Sequence, residues 1–61
     1  MKKWVIEAKL NNEEEYEPVT KCDDLSVGWN KLIRMRAASK LMEYNLREEM
    51  PGDEEKIKED D

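Results

Sequence analysis

Almost every side chain in this sequence with the potential for chemistry is a carboxylate. Glu13, Glu14 and Glu15, Asp23 and Asp24, and Asp53, Glu54 and Glu55 stand in adjacent groups. Neighbouring carboxylates serve acid–base catalysis when burial or a specific partner drives their pKa values apart. These three groups lie in strongly polar stretches, where solvation gives neither partner a useful shift. Histidine is absent, so a Ser–His–Asp triad and a Cys–His dyad are excluded. Cys22 is the single cysteine; it can form no intramolecular disulfide and cannot complete a Cys/His zinc site. The acids from Asp53 to Asp61 lack the spacing and turn glycine of a calcium loop. Gly28 and Gly52 build neither a P-loop nor a dinucleotide fingerprint. The expectation is a chain with no catalytic residue, cofactor or metal, which acts by binding another macromolecule.

The elements that must build such a surface are readable from periodicity. Trp4, Ile6, Ala8 and Leu10 alternate with Lys3, Val5, Glu7 and Lys9, the period of a strand with one face on a core and the other in water. Asn11 and Asn12 favour a turn. A second strand spans about 16–22, held to a sheet edge because Pro18 cannot donate a hydrogen bond. The two strands make an antiparallel hairpin. From Asp23 the pattern changes: Asp23, Asp24 and Ser26 suit a helix N-cap, and residues 25–49 are rich in helix formers, with Gly28 the one weak position. Met50-Pro51-Gly52 stops the helix, and the charged run that follows reads as disordered. The expected fold is therefore α+β: a small β-hairpin followed by one long α-helix (β-β-α), as a single domain over 1–50, and an acidic tail over 51–61.

Such a helix carries more apolar surface than a hairpin can cover. At about 100° per residue, Leu25, Trp29, Ile33, Ala37, Leu41 and Tyr44 form one stripe, expected to pack on the Trp4, Ile6, Ala8, Leu10 face. Leu32, Met35, Ala38, Met42, Leu46 and Met50 fall on a second arc, and surplus apolar surface marks a contact site. These six residues are the expected protein-binding face, used for self-association as a dimer or for capture of a partner. A 61-residue chain with a marginal core and no disulfide also favours an oligomer or complex.

Charge shapes the choice of partner. The chain carries a net charge of −5, which opposes nonspecific attraction to nucleic acid and anionic lipid. Residues 25–42 hold Lys31, Arg34, Arg36 and Lys40 and no acid. These four, with Glu13, Glu14 and Glu15, are candidate electrostatic contacts. The favoured function is a non-catalytic protein-binding module, an inhibitor or adaptor of the kind compact viral or mobile-element genomes encode. Alternatives are a dimeric nucleic-acid-binding regulator using the basic helix segment, or a small structural subunit of a larger assembly. The apolar run after Met1-Lys2-Lys3 is too short for a signal peptide or a membrane span, so a cytoplasmic protein without membrane contact is expected, in the host cytoplasm if viral.

Overall fold

A computed structural model describes residues 3–57. Strand β1 (Trp4–Leu10), strand β2 (Glu17–Cys22), helix α1 (Leu25–Ala38), strand β3 (Met42–Glu48) and the short helix α2 (Asp53–Lys56) follow one another along the chain. The strands form one antiparallel sheet in the order β2-β1-β3. The expected hairpin is present, with Pro18 on an edge strand. The single long helix is not.

The segment read as helix over 25–49 is a 14-residue helix, a turn and a third strand. Asp24 caps α1 by accepting a hydrogen bond from the Ser26 N–H at 2.9 Å. The helix ends where Ser39 turns extended (φ −141°, ψ 124°) while its N–H still donates to Met35 O. Residues 42–48 suit either period, because Met42 and Leu46 share a face four apart on a helix and also in alternation on a strand. Tertiary pairing decides. A two-stranded hairpin is marginal by itself, and laying β3 along the open side of β1 pairs every residue from Trp4 to Leu10.

Ile6, Cys22 and Leu32 form the buried core, with Met35, Tyr44 and Leu46 packed around them. Gly28 lies buried where α1 crosses the sheet: a Cβ there would stand 3.1 Å from Leu46 Cδ1. Glycine here lets helix and strand approach closely, and any side chain would have to displace Leu46.

Two further expectations are corrected. The face of β1 bearing Val5 and Glu7 does not meet water. Val5 is fully buried and Glu7 is 9% exposed, because the chain turns back after β3 and α2 packs against β2. The run after Pro51 is accordingly not a disordered tail through residue 57: Asp53 is 5% exposed and begins α2. Residues 58–61 of the expected tail lie outside the described residues.

Candidate functional site

Of the stripe expected to be core, Tyr44 alone packs on the core, from β3; the rest faces solvent. Gly28 and Leu32 are the buried residues of α1, and Met35 packs beside them. Trp29 is 48% exposed and Ile33 59%. Leu25 and Ala37 are exposed along the same side, and Leu41 is exposed in the turn that follows. The physical reason is the length of the helix. With β3 taken out of it, α1 buries a single arc, Gly28 and Leu32 with Met35 beside them, where the helix lies closest to Leu46.

The six residues expected to form one binding stripe are distributed by the same change. Leu32 completes the core and Met35 and Leu46 pack against it. Ala38 is exposed at the last turn of α1. Met42 sits on β3, where its sulfur accepts from Tyr44 Oη at 3.8 Å. Met50 is exposed beyond β3. No continuous helical stripe joins them, since Met42, Leu46 and Met50 are not on the helix.

The basic candidates divide between two sides of α1. Arg36 reaches across to β3 and donates from Nη2 to the Tyr44 carbonyl oxygen at 3.3 Å. Lys31 and Arg34 are exposed and, at about 100° per residue, lie on the side away from Arg36. Lys40 is exposed in the turn between α1 and β3, and its carbonyl accepts from Asn11 Nδ2 at 3.1 Å. Asn11, Tyr16, Arg36, Lys40, Met42 and Tyr44 line an open depression of about 470 Å³ there. Of the acidic candidates, Glu13 is used locally: its carboxylate accepts the Leu10 N–H at 2.8 Å and its carbonyl accepts from Lys9 Nζ. Glu14 and Glu15 are exposed.

Strand β3 gives the exposed stripe its setting. The Asn11 N–H donates to Leu41 O and the Glu49 N–H to Lys3 O, which fixes the ladder bonds of the β1–β3 pair at Glu43, Asn45 and Arg47. Antiparallel alternation then turns the N–H and C=O groups of Met42, Tyr44 and Leu46 outward, away from the sheet. The Arg36 contact to the Tyr44 carbonyl agrees with that direction. Trp29 and Ile33 lie about 20° and 60° further around α1 from Arg36, in the sense that leads away from the core. Among the described residues this edge of β3 pairs with no further strand, and it stands on the same side of the molecule as the half-exposed apolar flank of α1. The opposite edge is blunted. Strand β2 carries Pro18 beside a register shift, two devices that discourage further pairing.

Compared with family models, curated proteins and solved structures, the chain has no match. The function is therefore read from the geometry.

One cluster was missed entirely in the sequence. Under the sheet, Arg47 donates from Nε to Glu7 at 2.9 Å and from Nη1 and Nη2 to the two Asp53 oxygens at 2.8 and 2.9 Å. Asn45 Nδ2 donates to the other Glu7 oxygen, and the Met50 N–H donates to Asp53 Oδ2 at 2.7 Å. Arg47, aided by the Met50 N–H, holds the Asp53 carboxyl at about 2, below its ordinary 3.8. Planar bidentate pairing of this kind fixes geometry as well as charge. It ties α2 to the sheet, and each carboxylate is consumed by its partners. The sequence signal was faint: Glu7 and Arg47 become neighbours only once residues 42–48 are read as a strand beside β1. Among the described residues no group of histidine, cysteine, aspartate or glutamate is arranged to hold a metal ion, and no helix is long and apolar enough to cross a membrane.

Proposed function

We propose that this protein is a non-catalytic protein-binding module whose contact surface is the outer flank of α1 together with the free edge of β3. The observation that carries the reading is the half-exposed pair Trp29 and Ile33 standing beside the outward backbone groups of Met42, Tyr44 and Leu46. An exposed tryptophan and isoleucine anchor an interface by desolvation. A free strand edge adds main-chain hydrogen bonds, which supply affinity for an extended segment of another chain. Arg36 and Lys40 lie at one end of this surface and favour acidic side chains in what binds. The net charge of −5 argues against a nucleic-acid ligand, because phosphate affinity depends on cationic charge.

The test is a comparison of baits. Wild-type protein and the variants Trp29→Glu, Ile33→Glu and Val27→Glu are used to capture partners, and a captured protein is then purified and titrated against each. The expected result is a loss of affinity of about tenfold or more for the first two, with Val27→Glu, on the far side of α1, close to wild type. Equal affinity for all four baits would refute this surface.

A further inference from the structure

Resting on that reading, we infer that the occupant of the α1–β3 surface is a second copy of this chain, joined along β3 around a two-fold axis. One symmetry operation satisfies two exposures at once. Pairing β3 with its mate in antiparallel sense engages the outward N–H and C=O groups of Met42, Tyr44 and Leu46. Each sheet carries α1 on the same face, so the operation also brings the two helices side by side and antiparallel, with the Trp29 and Ile33 flanks facing each other. Strand and helix are similar in reach: seven residues of β3 span about 24 Å and the 14 residues of α1 about 21 Å.

The surface is self-complementary in chemistry. Along α1 the order is Asp23 and Asp24 at the start and Arg36 and Lys40 at and beyond the last turn, with no acid between residues 25 and 42. Antiparallel helices set the acidic start of one beside the basic end of the other. Because Arg36 lies against Tyr44 and Gly28 against Leu46, an axis at Asn45 falls midway between these two points of α1, close to Ile33. Ile33 then meets its own mate, and Trp29 meets the region of Arg36 and Ala37 in the other copy, where a guanidinium over an indole face is favourable. Within β3 the side chains of Tyr44 and Leu46 exchange places across the axis, on the face of the sheet that carries α1. The Arg36 contact to Tyr44 is long and exposed, so it yields to a strand partner. The alternative edge, with Pro18 and its register shift, offers no comparable row.

The experiment is sedimentation equilibrium of the full chain from about 1 µM to about 1 mM, with amide hydrogen exchange across the same range. The expected result is a rise to twice the chain mass, with slowing of exchange at Met42, Tyr44 and Leu46 as dimer forms. Ile33→Glu is expected to raise the dimer dissociation constant by about tenfold or more without changing far-UV circular dichroism, and Val27→Glu to leave it unchanged. Asp23→Lys and Lys40→Glu are each expected to weaken the dimer, and the double variant to recover part of the loss. A chain that remains monomeric at the highest concentration overturns the inference. So does a dimer in which the three amides exchange as fast as in the monomer. If the chain stays monomeric but Ile33→Glu loses affinity for a captured protein, self-pairing fails and the binding surface stands. If Ile33→Glu matches wild type in both assays, both fail.

Discussion

Asp53→Asn tests the ionic cluster under the sheet, because asparagine keeps the shape and one oxygen for the Met50 N–H while removing the charge and one of the two oxygens that accept from Arg47. In the folded protein the Asp53 carboxyl titrates at about 2 rather than 3.8, nearly two pKa units of preferential stabilisation of its charged form. At about 1.36 kcal/mol per unit, and discounted for solvent close to the pair, that is on the order of 1–2 kcal/mol of folding free energy. The sign follows from the direction of the shift. A carboxyl depressed in the folded state contributes its full stability above its unfolded value and loses it as pH falls toward the folded one. The contribution is therefore complete above 3.8 and gone near 2. Other carboxylates titrate in the same window, so the informative quantity is the difference between wild type and variant. Urea unfolding followed by far-UV circular dichroism at a series of pH values measures it. The expected gap is about 1–2 kcal/mol near neutral pH, shrinking toward zero by about pH 2; against a total stability of roughly 3–9 kcal/mol for a chain this size it is easily resolved. A gap that stays constant with pH would refute the reasoning, since it would assign the effect of Asp53 to packing rather than to its charge.

Leu32→Ala, in the centre of the core, should cost about 2–5 kcal/mol and lower the thermal midpoint by 10 °C or more by the roughly 4–8 °C per kcal/mol scaling of small domains. Ile33→Ser, on the exposed flank, should stay within about 0.5 kcal/mol of wild type in urea unfolding, where a core residue would lose several. Gly28→Val should destabilise by about 2 kcal/mol or more in the same assay, because even one added carbon would stand 3.1 Å from Leu46 Cδ1. Asp24→Ala removes the cap of α1 and should cost about 1 kcal/mol, visible as a reduced denaturation midpoint with unchanged slope.

The first half of the fold was legible in the sequence because local signals there agree with one another. The strand over Trp4, Ile6, Ala8 and Leu10, the asparagines at the turn, Pro18 on an edge and a cap among Asp23, Asp24 and Ser26 were each readable locally, although the burial of Val5 and the exposure of Leu10 were not. Residues 39–48 have two readings. Leu41, Met42, Leu46 and Arg47 favour a helix by propensity, and only Ser39 marks the break at its near end. The choice of strand comes from the vacant side of β1, a contact more than thirty residues away in sequence, and propensity is routinely overridden by such contacts. That one error propagated to the site. It removed Met42, Leu46 and Met50 from the helix and reversed which flank of α1 was core. It also hid the partner of Glu7, since Arg47 reaches Glu7 only from a strand. The apolar surplus expected on a helix of residues 25–49 does not exist as such, since Leu32, Met35 and Leu46 are used in the core, and Gly28, read as a weakness in the helix, is a point of close contact with Leu46.

If another chain binds the α1–β3 side, amide and indole exchange in the bound state will report it. With isotope-labelled protein saturated by its partner, or concentrated until it self-associates, the account predicts slowed exchange at the Met42, Tyr44 and Leu46 amides and at the Trp29 indole N–H. Protection confined to β2 or to the Val27, Lys31 and Arg34 side of α1, with those four protons unchanged, would contradict it.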